Sequence, residues 1–166
     1  MRLGDYWIDK DPTYAGAVAA LGPSASCRLV KNRFLGVDPS HALATWATVG
    51  VVIELRTYGR LPPAKSACTA PRFIRVHTVR ATDERWRTAR GLRVGDSVVR
   101  LRRLYYSAKA VRALPGWYAR GYALVTRWVG GYEGIGGLRP TAPVLVAETS
   151  NGRVSGFVLV VDAEGD

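Results

Sequence analysis

Two cysteines constrain the fold of this chain more than any other residues. Cys27 and Cys68 are its only thiols, and residues 28–67 separate them. Neither belongs to a CxxC pair, and a structural zinc site built with the two histidines, His41 and His77, would also need carboxylates. A disulfide is the favoured prediction, and closing a loop of this length stabilises the fold by about 4 kcal/mol. Such a bridge indicates an oxidising compartment; the alternative is a cytosolic protein with two free thiols.

The N-terminal segment bears on whether the protein is exported or cytosolic. Residues 1–14 contain no apolar run of the kind found in export signals, so the chain as given is expected to carry no signal peptide. An exported protein whose signal has been removed and a cytosolic protein both fit this segment. No run reaches the roughly 18 apolar residues of a membrane helix, so we expect no membrane span.

The apolar content is sufficient for a packed core. Of the 166 residues, 48% are hydrophobic, which excludes an intrinsically disordered chain. The glycines and prolines follow no period, which excludes a collagen-like one. A chain of this length forms one compact domain or two small halves that share a core.

Two short helices are predicted. Asp11-Pro12-Thr13 begins the first, apolar residues follow from Tyr14 to Leu21 at intervals of three and four, and Gly22-Pro23 ends it. The second covers Val98 to Tyr105, with Asp96 or Ser97 as its N-cap.

Strands are predicted between and after the helices. In FIRVHTV (residues 73–79), alternation places Ile74, Val76 and Thr78 on one face and leaves His77 on the solvated face. Asn151-Gly152 predicts a hairpin, and residues 157–161 are apolar on both faces, as in a central strand. The other predicted strands cover residues 27–34, 42–49, 51–56, 122–128, 144–149 and 153–161.

The two halves of the chain follow one plan. Thr13 aligns with Ser97 and Tyr14 with Val98, an offset of 84 positions, and the offset grows to 102 where Gly50 is laid on Gly152. We therefore expect an α+β protein in which short helices pack on one face of an antiparallel sheet. It would consist of two related helix-plus-sheet halves, residues 1–83 and 84–166, which can form one compact domain.

One motif at the second helix carries a resemblance. The string Trp86-x-Thr88-x-x-Gly91-Leu92-x-Val94-Gly95-Asp96-Ser97, followed by Leu101 and Leu104-Tyr105, resembles the helix entry of tandem helix-plus-antiparallel-sheet domains. These domains occur in the beta-lactamase inhibitor protein family and in outer-membrane assembly lipoproteins of the SmpA/OmlA type. The motif and the closing strand are most similar to exported actinobacterial proteins of unknown function. The resemblance implies export and the binding of another macromolecule through a sheet face or loops, and it brings no catalytic residues.

The charge distribution points to an anionic partner. The net charge is +11, and such a balance favours association with polyanions. Residues 85–112 hold nine basic side chains against one acid, Asp96. The side chains predicted to bind are Arg85, Arg87, Arg93, Arg100, Arg102 and Arg103.

No residue pattern indicates catalysis. The chain lacks GxSxG, HExxH and paired carboxylates, and its glycine-rich segment 130–137 lacks the order of a phosphate-binding loop. We therefore expect a non-catalytic, exported module, in the extracellular space or the cell envelope, that binds an anionic macromolecule or a protein without metal or cofactor. The alternatives are a cytoplasmic nucleic-acid-binding domain, with Arg100, Arg102 and Arg103 on phosphates, and a small hydrolase with His77 as base.

Overall fold

The computed structural model describes residues 2–3, 6–7, 14–24, 26–32, 36–57, 65–69, 74–114, 118–128 and 141–160. The helices are α1 (Tyr14–Leu21) and α2 (Val98–Leu104), with a 3₁₀ turn at Ala47–Val49. The strands are β1 (Arg2–Leu3), β2 (Tyr6–Trp7), β3 (Ser26–Asn32), β4 (Gly36–Trp46), β5 (Val51–Thr57), β6 (Ile74–Ala81), β7 (Lys109–Val111), β8 (Gly121–Trp128), β9 (Thr141–Ser150) and β10 (Arg153–Val160).

In the described part of the chain, eight strands form an antiparallel sheet in the order β3-β4-β5-β6-β10-β9-β8-β7, and β1 pairs with β2. Each set of four consecutive strands is a meander, and the two meanders join where β6 pairs with β10. The predicted α+β class with an antiparallel sheet and short helices is confirmed.

Each meander follows a helix. α1 begins at residue 14 and α2 at residue 98, the spacing that the sequence alignment predicted, and the proposed boundary at residue 83 lies between β6 and α2. The alignment of Gly50 with Gly152 is wrong, however. Gly50 follows the second strand of its meander, whereas Gly152 follows the third, so the two glycines occupy different turns. The division into two halves remains a prediction.

One apolar cluster joins both helices to the sheet. It contains Ala17 of α1 and Leu101 of α2 together with alternate residues of the strands, such as Ile53 and Leu55 of β5 and Phe157 of β10. Both helices therefore pack on one face of the sheet. Among the described residues, no helix is long and apolar enough to cross a membrane.

The turns show why several local predictions hold. Asn151 and Gly152 have φ of 50° and 73°, the left-handed conformation that a tight hairpin turn requires. Ser97 caps α2 by accepting a hydrogen bond from the Arg100 amide. The predicted cap at residues 11–13 and the glycine-rich segment 130–137 lie outside the described residues.

β6 contains an irregularity that alters the predicted faces. Glu54 of β5 pairs with Thr78 and Leu55 pairs with Val76, which leaves His77 as an extra residue. Thr78 therefore does not share the core face with Val76, and its hydroxyl donates to Glu54 instead. The predicted solvated position of His77 is wrong: its side chain is 8% exposed, at an irregular position of a strand that has neighbours on both sides.

The predicted disulfide is present. Cys27 of β3 is bonded to Cys68, with their Cα atoms 5.8 Å apart, and neither thiol is free. The amide of Ala67, beside Cys68, donates to the carbonyl of Pro39 in β4. The bridge thus fixes the segment 65–69 to β3, which is the end strand of the sheet among the described residues.

Candidate functional site

The basic residues of α2 lie on its outer side. Leu101 is fully buried and faces the core, while Arg100, Arg102 and Arg103 are exposed. When one side of a helix packs on a sheet, the residues on that side are buried and those on the other side are exposed. Two arginines in the last turn also interact favourably with the partial negative charge at the helix C-terminus.

Two of the predicted binding arginines already have carboxylate partners. Arg85 Nε lies 2.7 Å from Asp83, and Arg100 Nε lies 3.0 Å from Asp96. Side-chain and backbone hydrogen bonds from Arg85 lower the pKa of Asp83 to about 2. The charges of these two arginines are therefore compensated within the protein.

Arg102 is positioned by an aromatic ring. Its guanidinium lies 5.5 Å from the centre of the Tyr122 ring and donates to the Tyr122 hydroxyl at 3.0 Å. This contact uses one of the five N–H donors of an arginine. Arg102 is thus held in place with most of its donors available.

The remaining predicted arginines differ in exposure. Arg93 and Arg103 are exposed, and neither side chain has a partner among the residues that the structure describes. Arg87 is half-buried and forms a backbone bridge with Arg93. Arg93, Arg102 and Arg103 are therefore the predicted residues that fit external binding best. We call these three residues, two from α2 and one from the segment before it, the α2 surface.

Other exposed groups lie close in sequence to the α2 surface. Tyr106, two residues after the end of α2, is 87% exposed, and Val99 of α2 is 79% exposed. Arg90, by contrast, lies 5.0 Å from the centre of the Tyr105 ring and donates to the carbonyl of Leu104. It is therefore engaged with the end of the helix.

A second polar cluster lies on the sheet face opposite the helices. Glu54 is 8% exposed, and its Oε2 accepts a hydrogen bond from the Thr78 hydroxyl at 2.8 Å. Its Oε1 accepts from Arg56 and lies 2.7 Å from Nε2 of His41, an ion-pair distance without the alignment of a hydrogen bond. We call His41, Glu54, Arg56, His77 and Thr78 the Glu54 cluster. The sequence analysis did not predict this cluster, because its members come from three strands.

Opposing effects act on the ionisation of Glu54. Burial raises its pKa, but hydrogen bonds from Thr78 and Arg56 and electrostatic attraction to His77 and Arg56 hold the pKa below its ordinary value. A carboxyl group with a lowered pKa stabilises the fold fully above its unfolded pKa, and this contribution is lost as the pH falls through the folded pKa.

Glu54→Gln is expected to weaken the acid dependence of stability, because this side chain has no proton to gain. The free energy of unfolding should fall less between pH 5 and pH 3 in E54Q than in the wild type, as measured by urea denaturation. Glu84→Gln, at an exposed glutamate, is the matched control and should keep the wild-type dependence. Equal losses in E54Q and the wild type would show that Glu54 does not link pH to stability.

A further buried carboxylate connects the two meanders. Glu148 of β9 is 4% exposed, and its Oε1 lies 3.2 Å from Arg80 of β6. β10 separates these strands, and Gly156, which pairs with Glu148, places no side chain between them. The backbone amide of Ala119 donates to the same Oε1. Glu148 thus serves to join strands.

Both buried carboxylates therefore have internal partners. Across the described ranges, no group of three or more His, Cys, Asp or Glu side chains is arranged to hold a metal ion. His77, the candidate base of the hydrolase hypothesis, presents little surface to a substrate.

Comparison of the chain with models of known protein families, with curated proteins and with solved structures finds no match.

Proposed function

We propose that this protein is a non-catalytic binding module whose α2 surface binds an anionic polymer at the cell envelope. The observation that carries the proposal is that Arg93, Arg102 and Arg103 are exposed and keep N–H donors free for a ligand. Two of them are exposed without a partner in the described part of the chain, and the third is held against Tyr122 with free donors. Arginine presents several N–H groups in a planar fork that matches phosphate and carboxylate oxygens.

The surrounding charge supports the same partner. Residues 85–112 carry nine basic side chains and one acid, and that acid, Asp96, is paired with Arg100. A polyanion approaching α2 therefore meets little repulsion from this segment. A surface of this kind binds with an affinity that falls steeply as salt rises.

The disulfide supports the proposed location. Bridges such as Cys27–Cys68 persist in oxidising compartments and are rare in the cytosol. The extracellular space and the cell envelope are such compartments, and the envelope offers polymers that carry phosphate and carboxylate groups.

Charge removal at the α2 surface tests this function. The variant with Arg93→Gln, Arg102→Gln and Arg103→Gln should bind fluorescently labelled polyphosphate about 10²–10³-fold more weakly than the wild type at about 50 mM salt, because three phosphate contacts are lost. Fluorescence anisotropy measures the affinities.

The matched control removes the same charge elsewhere. Arg28→Gln, Lys31→Gln and Lys65→Gln alter exposed residues on β3 and near Cys68, at the opposite edge of the sheet from β7. This variant should retain most of the wild-type affinity. Equal losses in the two variants would show that binding depends on net charge and not on the α2 surface, and no binding by the wild type would refute the function.

Nucleic acid is the second candidate, and Tyr106 is the observation that favours it. An aromatic ring that is 87% exposed, three residues after Arg103 in the sequence, offers a base a stacking surface. A single-stranded oligothymidine should then bind more tightly than polyphosphate of equal charge, and Tyr106→Ala should remove that difference. If Tyr106→Ala changes neither affinity, the stacking role is excluded.

A further inference from the structure

A cleft lies next to the α2 surface. It is bounded by the start of α2, by Ala110 of β7, by residues 120–122 at the start of β8 and by the β9–β10 turn, residues 149–152. Its volume is about 390 Å³, within the range of small-molecule binding sites.

Backbone contacts fix the walls of the cleft. A Cβ on Gly121 would lie 2.0 Å from the carbonyl oxygen of Ala147, so only glycine allows β8 to approach β9 this closely. Next to it, the carbonyl of Arg120 accepts a hydrogen bond from the Thr149 amide at 3.0 Å. On the other side, the carbonyl of Gly152 accepts one from the amide of Val98, which joins the hairpin turn to α2. The cleft is therefore held by hydrogen bonds on both sides.

The polar side chains that line the cleft suit an anion. Among the described residues that line it, Arg120 alone carries a charge, and its side chain has no partner in the described ranges. Ser150 and Asn151 add side-chain hydrogen-bond donors at the turn. The ring of Tyr122 forms part of the wall and carries the guanidinium of Arg102, a second positive charge.

We propose that this cleft binds a small polar molecule through one anionic group, a phosphate or a carboxylate on a ligand the size of a single sugar, with Arg120 as its main contact. A small cleft that holds one arginine and several neutral donors fits one oxyanion with a polar body better than it fits an apolar molecule. The main contact, Arg120, does not belong to the α2 surface, which shares Arg102 with the cleft, so the inference goes beyond polymer binding.

Titration with three probes tests the proposal. Glucose 6-phosphate and glucuronate present the two anionic groups on one sugar, and glucose is the neutral control. In chemical-shift titrations, at least one of the two anions should bind and shift the signals of residues 120–122 and 149–152, while glucose should not. The stronger anion identifies phosphate or carboxylate as the group recognised.

Two variants locate the site. Arg120→Gln should weaken binding of the anion by about tenfold or more, because a hydrogen bond between charged groups is lost, whereas Arg28→Gln at the far edge of the sheet should not. Ala110→Trp fills the cleft without a change of charge and should abolish binding. Ala110 is exposed, and a melting temperature close to that of the wild type would show that the variant is folded.

Several results would overturn the inference. These are no binding of either anion by the wild type, equal weakening by Arg120→Gln and Arg28→Gln, and wild-type affinity in folded Ala110→Trp. Polyphosphate binding is measured in the same preparation and reports on Arg93, Arg102 and Arg103. A protein that binds polyphosphate but neither sugar anion would refute the cleft proposal and leave the function of the α2 surface standing.

Discussion

Replacing both Cys27 and Cys68 by serine is expected to lower the free energy of unfolding by about 4 kcal/mol. The bridge spans 41 sequence positions, and its loss gives the unfolded chain the conformational freedom of an open loop. In the folded protein, β3 pairs with β4 at one end of the described sheet, and the bridge ties β3 to the segment 65–69. Because domains are stable by only about 5–15 kcal/mol, this change removes a large share of the total.

Urea denaturation measures the effect as a shift of the midpoint at constant slope. Reduction and alkylation of the wild type should reproduce the stability of the double variant, and a single Cys68→Ser variant should match it. A loss under about 1 kcal/mol would show that the bridge adds little, contrary to the loop-closure argument.

Trp86→Ala is expected to destabilise the protein by about 3–5 kcal/mol, because it leaves a large cavity in the core. Trp86 is fully buried and belongs to the cluster that joins both helices to the sheet. Its indole N–H also donates to the carbonyl of Val49 at 2.8 Å, so truncation leaves that acceptor without its partner.

A pair of comparison variants separates these contributions. Trp86→Phe keeps an aromatic ring and loses the hydrogen bond, so we expect a smaller loss of about 1–3 kcal/mol. Tyr106→Ala truncates an aromatic residue that is 87% exposed and should change stability by under about 0.5 kcal/mol. Equal free energies of unfolding for Trp86→Ala and Tyr106→Ala would contradict the assignment of Trp86 to the core.

Local signals explain why much of the fold is predictable from the sequence. Asn151-Gly152 adopts the left-handed turn that its composition predicts, and Gly91 and Gly95 have φ of 78° and 90° at the entry to α2. Residues 157–160 are buried, as expected for a strand between two others. Each of these properties depends on a few neighbouring residues, so a short stretch of sequence is enough to specify it.

Features that depend on distant strands were not predictable. The irregularity at His77 arises from pairing with β5, and nothing within residues 73–79 marks the extra residue. Glu54 stands in an apolar run, and its partners His41 and Thr78 come from the two adjacent strands. β7 has three residues and is too short to show alternation.

The candidate site, like the fold, is predictable from the sequence only in its local features. The sequence predicts a basic segment at residues 85–112, because charge is additive along the chain. It does not show that Arg85 and Arg100 are paired with nearby acids, nor that Arg102 of α2 lies against the ring of Tyr122 in β8. The cleft beside Arg120 likewise requires four separate parts of the chain to meet.

Binding through the α2 surface is the central claim, and the salt dependence of polyphosphate affinity tests it most directly. Each lost phosphate contact reduces the steepness of log K against log salt, so the slope for the variant lacking Arg93, Arg102 and Arg103 should be shallower than the wild-type slope by about 2–3. The control variant at Arg28, Lys31 and Lys65 should keep the wild-type slope. Identical slopes for the wild type and the α2 variant would contradict the claim.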